Sequence, residues 1–303
     1  MRCGRRDFLA GAAGAVVGVL GWPRIGAQAA RPPLFVSCGA DRSGGYVVAG
    51  MDPDGAVRFE RPLPARGHGV AVHPSHSQCV VFARRPGAFA AVLDTATGEL
   101  RHWIDAVPDR RFYGHGVFSA DGSRLFATEN DYAAGRGVLG VYDAADGYRR
   151  VGELPSHGVG SHDLRLMPDG RTLAVANGGI RTHPDQPRAK LDIPAMAPNL
   201  TYLDADSGRV VEAVRLTPAL HKLSIRHLDV NRNGDVAVAM QYEGDRRDRV
   251  PLVGLHRRGG ALRLLHAPAP IERRLRHYTG SVAFDSSGAF LAVSSPRGHL
   301  VTL

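Results

Sequence analysis

Three cysteines in 303 residues are too few to staple a fold, and none of them pairs at the close spacing of a zinc or redox motif. Charged residues are also sparse, at 22% against 44% apolar, which excludes a disordered tail and leaves enough apolar surface for a sizeable core. Compact catalytic signatures are missing as well. There is no GxSxG elbow and no HExxH pair, and the GHG and GRG phrases lead into apolar strand patterns rather than into a helix that could cradle phosphate. Ser119, Ser161 and Ser224 stand near histidines, but no Asp is spaced to orient a base. Hydrolase chemistry therefore finds no support, and the chain reads as a binding protein before an enzyme. Long helices are excluded by 37 glycines and 20 prolines, which favour tight turns and end helices.

The apolar run from Leu9 to Trp22 is about 14 residues long, short of a bilayer span. It follows Arg5-Arg6-Asp7-Phe8-Leu9 and precedes Ala27-Gln28-Ala29, which together read as a twin-arginine export signal with its cleavage site. Cys3 lies before the twin arginines and gives no support to a lipoprotein. The expectation is that residues 1–29 are removed, the alternative being retention as a membrane anchor, that residues 30–303 form one domain, and that the cleaved product is periplasmic without a stable membrane span. Twin-arginine substrates cross folded, some with a cofactor already in place, which favours a bound metal or cofactor here. Without the signal 34 basic and 28 acidic residues remain. That excess suits anionic ligands or envelope surfaces, and export argues against nucleic acid.

Four histidines open one repeated phrase: His68 (GHGVAV), His115 (GHGVFS), His162 (SHDLRLM) and His227 (RHLDVN). The first two steps are 47 residues each, and the third is 65, the extra 18 falling in a Pro-rich segment. That period is one propeller blade. Each phrase continues into a turn (Asp121-Gly122, Asp169-Gly170, Asn233-Gly234, with Ser287-Gly288 near the end), a strongly apolar second strand, and a further hairpin. The predicted fold is all-β: a β-propeller of four-stranded antiparallel blades. Residues Leu34 to Leu63 supply strands two to four of a blade, and Ser281 to Leu303 supply strands one to three. Six blades are thus visible, either of a seven-bladed type shortened at its C-terminus or of a six-bladed ring with an irregular seam. Cys38 and Cys79 fall on second strands of neighbouring blades, beyond disulfide reach, and are expected as two buried thiols.

Antiparallel pairing puts the start of strand one and the end of strand two on the same rim. The histidines lie at the first place, and Arg84, Arg85, Glu129, Asn130, Asn177, Gln241 and Arg297 at the second. Three readings follow. The histidines could simply fix neighbouring blade backbone. His68, His115, His162 and His227 could converge on a metal such as iron or copper, with Glu129 or Asp163 as an oxygen ligand. A small anionic ligand could instead be held by Arg84, Arg85, Arg181, Arg226 and Arg297, with Asn130, Asn177, His183 and Gln241 around it. The insertion Gly178 to Asn199, which carries Arg181 and His183, reads either as a lid over this face or as a loop packed on the next blade.

The phrases ARRPG (Ala83 to Gly87), FYGHGVFSADG (Phe112 to Gly122), TENDY (Thr128 to Tyr132), VANGGIRTHPD (Val175 to Asp185), LSIRH (Leu223 to His227) and SPRG (Ser295 to Gly298) carry a resemblance. From about Pro33 onward the chain resembles an uncharacterised family of twin-arginine-exported bacterial propellers, domain of unknown function 1513. The resemblance implies no residue chemistry. It implies a place beside imelysin-like and di-haem periplasmic proteins, hence a part in iron acquisition, as a binding protein, a metal-dependent oxidoreductase or a platform for an iron-uptake partner. Members of that family usually continue past Leu303, and their insertion tends to carry a Gly before its Arg-rich part.

Overall fold

The computed structural model describes residues 35–303, so the signal and its cleavage site lie outside the described residues. Six antiparallel sheets follow one another along the chain. Blade one has three strands (Phe35–Ala40, Tyr46–Met51, Val57–Leu63) and blade six has three (Ser281–Phe284, Leu291–Ser295, Leu300–Thr302). The four blades between them are four-stranded, with innermost strands Gly67–Val72, Arg110–Phe118, Ser161–Leu166 and Leu223–Val230. Innermost strands of successive blades pack side by side, which sets the sheets around an axis. The molecule is a β-propeller, with the three-stranded ends where the sequence places them.

The apolar second strands follow from this stacking. Side chains alternate between the two faces of a strand, so in Gln78–Ala83 one set points to each neighbouring blade. Cys79, Val81 and Ala83 join Val48 and Leu63 of blade one, while Val80 and Phe82 join Phe112, Phe118 and Tyr142 of blade three. The same rule gives five separate apolar cores, one for each boundary between consecutive blades. Phe82 is fully enclosed, and burial of such a ring contributes about 2 to 3 kcal/mol. Among the described residues no sixth core joins blade six to blade one, and Phe35, Val57, Phe290 and Val301 are exposed on those two outer sheets.

Cys38 and Cys79 are free thiols in neighbouring blades. Burial pushes Cys38 up to about 11 and Cys79 to about 12, so both are protonated and unreactive. The 178–199 insertion folds as a hairpin (Arg181–His183 with Gln186–Leu191) and a short 3-10 turn. Lys190 of this hairpin pairs with Glu243 of blade five, and Met196 is buried beneath it. The insertion also reaches blade three, where Thr182 hydrogen-bonds Tyr113 at 3.3 Å, so it touches the blades on both sides of blade four. No helix among the described residues is long and apolar enough to cross a membrane.

Candidate metal centre

His68, His115, His162 and His227 come from four consecutive innermost strands and meet at one point. One ring nitrogen of each lies within 4.8 Å of the others. Ring centroids are 4.8 Å apart for His68 and His115, 5.1 Å for His115 and His227, and 4.7 Å for His162 and His227. Four nitrogen ligands of one ion at ~2.0 to 2.1 Å stand roughly 3 to 4 Å apart, so small ring rotations close this group on a metal. Blade six approaches through Thr279-Gly280, which bring no imidazole.

In blades two, three and four a register break in the innermost strand coincides with the histidine, whereas in blade five it falls one residue earlier, at Arg226. In blade four Ser161 pairs with Asn177 and Asp163 with Ala176, leaving His162 unopposed. In blade two the pairing jumps from Gly67–Ala83 to Val70–Val81 around His68, and in blade three from Phe112–Glu129 to Gly116–Ala127 around His115. Such bulges re-aim a side chain out of the sheet's regular alternation. They turn the imidazoles from the blade faces toward the axis. The glycines of GHG make room for the rings. A Cβ on Gly114, whose φ is +113°, would lie 2.5 Å from His68 Cδ2, and one on Gly69 would lie 2.8 Å from His115 Nδ1. His68 and His115 each rest on a glycine of the neighbouring blade.

Asp163 fixes two of the rings. Its carboxylate lies 3.2 Å from Nδ1 of His115 and 3.6 Å from Nδ1 of His227, accepts the amide hydrogens of Leu164 and Leu228, and pairs with Arg165 at 2.7 Å. Burial opposes that charge, but Arg165 and the two imidazoles outweigh it and hold the carboxyl far below the usual carboxylate range. A carboxylate at Nδ1 leaves Nε2 as the free lone pair, the arrangement that commonly orients metal-bound histidines. Consistently, Nε2 of His115, Nε2 of His68 and Nδ1 of His162 are buried without a hydrogen-bond partner. Burial lowers His115 to about 4 and, with the neighbouring imidazoles, puts His68 and His162 well below 6.5. These three rings are neutral at pH 7, as ligands must be.

Glu129 is not brought to this group. Its carboxylate accepts from Tyr142 Oη at 2.5 Å and pairs with Arg150 at 2.8 Å inside blade three. Asp163, the other expected oxygen ligand, orients rings instead. Asn177 is enclosed in a network with Ser161, Ser156 and Asn199 and holds blade four together. Gln241 donates to the Thr279 carbonyl. Arg85 stands 5.3 Å over the Tyr113 ring, whose centroid is 5.8 Å from that of His162. Arg84 acts electrostatically on His68, Arg226 on His162, and Arg297 lies 4.4 Å over Tyr278. Asn130 Oδ1 is buried and unpartnered. Arg181 lies out against Gly135, and His183 is 6.1 Å from Tyr132, both on the insertion. The bulges and the orienting role of Asp163 escaped the sequence reading, although the paired glycines of GHG carry a signal for the first.

Fold and site together define a β-propeller with an all-histidine group on its axis. The sequence profile described as "Protein of unknown function (DUF1513)" matches residues 61–303, and the chain belongs to that family. No curated protein matches the sequence. Among solved structures, Kuenenia stuttgartiensis hydrazine synthase is similar with a TM-score of 0.65 and 18% identity, over 94% of this chain and 79% of that one. The β-propeller domain of Myceliophteria thermophila Cps50 (Swd1) is similar with a TM-score of 0.59 and 17% identity, over 87% of this chain and 81% of that one. A mitotic checkpoint complex chain follows at 0.57 and 12%, over 87% and 74%. At these identities the likeness concerns the fold.

Proposed function

We propose that this protein binds one transition-metal ion through His68, His115, His162 and His227, after export to the periplasm, as part of metal acquisition or trafficking. The observation that carries the reading is the meeting of four imidazoles on the axis, three of which have a buried ring nitrogen without a partner. Unpaired buried polar atoms are costly, and four of the commonest metal ligands in one place give them a common purpose. A site made only of imidazole nitrogens suits copper, zinc or iron, and copper(II) ranks first in affinity. The place of iron in the scheme rests on the family resemblance alone. Metal binding is the primary reading, and metal-dependent oxidoreductase chemistry at the same group is the alternative.

The test is metal content of protein recovered from the producing cell. One equivalent of copper, zinc or iron in the wild type, lost in His115→Ala/His162→Ala with the fold intact by circular dichroism, supports the reading. Equal metal content in the two proteins defeats it.

A further inference from the structure

The register break in blade five releases a residue that is not a histidine. Ile225 pairs with Met240 and His227 with Ala239, so Arg226 is left unopposed in the innermost strand. Its side chain is 3% exposed, its Nε has no partner, and among the described residues no carboxylate lies within salt-bridge distance of it. The acidic group that acts on it, Glu243, is paired with Lys190. An unpaired guanidinium so deeply enclosed is costly to keep. Arg150 shows the ordinary arrangement in this molecule, lying between Glu129 and Glu153.

The surroundings add positive charge instead of relieving it. Arg85 acts on Arg226, Arg226 acts on His162, and Arg84 acts on His68. The charge on Asp163 is already matched by Arg165. Neutral imidazoles bring no negative charge, so a divalent ion on the axis would join several uncompensated cations. Guanidinium groups bind oxyanions and carboxylates through paired N–H donors.

Resting on the metal reading, we propose that Arg226, backed by Arg85, seats a small oxyanion or carboxylate that binds beside the imidazole group as the counter-charge of its metal. The two ligands then bind cooperatively: each lowers the electrostatic cost of the other, and the coupling is reciprocal. Deepest in the site, Arg226 supplies the seat, and Arg84 and Arg85 draw the anion in.

The experiment measures zinc affinity of the purified full-length protein by chelator competition, in chloride buffer and with millimolar oxalate or phosphate. Either anion should tighten zinc binding on the order of tenfold in the wild type. Arg226→Met should bind zinc in chloride at least as tightly as wild type and lose the enhancement, and Arg226→Lys, which keeps charge without the planar fork, should fall between. No enhancement in the wild type, or the same enhancement in Arg226→Met, overturns the proposal and leaves the metal site standing. If zinc binds in neither buffer, the metal reading fails, and the thermal midpoint decides the seat. A rise with oxalate or phosphate that Arg226→Met lacks upholds the seat, and its absence overturns it.

Discussion

The carboxylate of Asp163 in blade four lies 3.2 Å from Nδ1 of His115 in blade three, and its other oxygen lies 3.6 Å from Nδ1 of His227 in blade five. One side chain thus sets the orientation of imidazoles from the blades on either side. Asp163→Asn keeps the size of the group but loses the charge that faces both Nδ1 atoms. Loss of a carboxylate behind a metal-bound histidine typically lowers affinity 10- to 100-fold, and a drop of about that size is expected here by chelator competition. Unchanged affinity would mean that Asp163 serves only to join blades.

Gly114 tests the mutual support of the rings. Alanine there must adopt φ near +113° and place its Cβ against His68. Gly114→Ala is expected to lower stability by about 1 to 3 kcal/mol, read from chemical denaturation, and to weaken metal binding by displacing His68. A substitution tolerated on both counts would refute the packing account of the GHG phrase.

Acid should loosen the apo protein in a defined window. His115 titrates at about 4 in the fold, and His68 and His162 also lie well below the usual 6.5, so the unfolded chain takes up protons on these residues first. Their contribution is whole above about pH 6.5 and is lost as pH falls toward 4, with about 3 kcal/mol from His115 alone. Denaturation midpoints of the apo protein measured from pH 7 to 4 should fall steadily, and replacing His115 with Gln should flatten the slope. Because protons compete poorly for these rings, bound metal should persist below pH 6. Release of metal close to pH 6.5 would contradict the burial of the group.

The propeller was legible because its causes are local. A 47-residue period, Gly-containing hairpin turns and apolar second strands each follow from blade stacking. The convergence of the four histidines was legible for the same reason, since equivalent positions in successive blades face one axis. What the sequence did not disclose depends on partners distant along the chain. Asp163 could not be told from a ligand until Arg165, His115 and the Leu228 amide were seen around it. Arg226 resembled the other rim arginines, and only the register break in its strand marks it as enclosed and alone.

Glu129 is the sharpest separation of structure from site, since it was an expected ligand and lies elsewhere. Fully buried, it accepts from Tyr142 and pairs with Arg150, which in turn reaches Glu153. Removing Glu129 leaves Arg150 with Glu153 alone and Tyr142 without its acceptor, at a cost of about 1 to 3 kcal/mol. Glu129→Ala should therefore lower the denaturation midpoint sharply, and Glu129→Gln should do so less, because an amide still accepts from Tyr142. Neither change should alter metal stoichiometry below the unfolding temperature. If Glu129→Gln instead removed metal while leaving stability unchanged, the carboxylate would have to reach the axis, and its place inside blade three would be wrong.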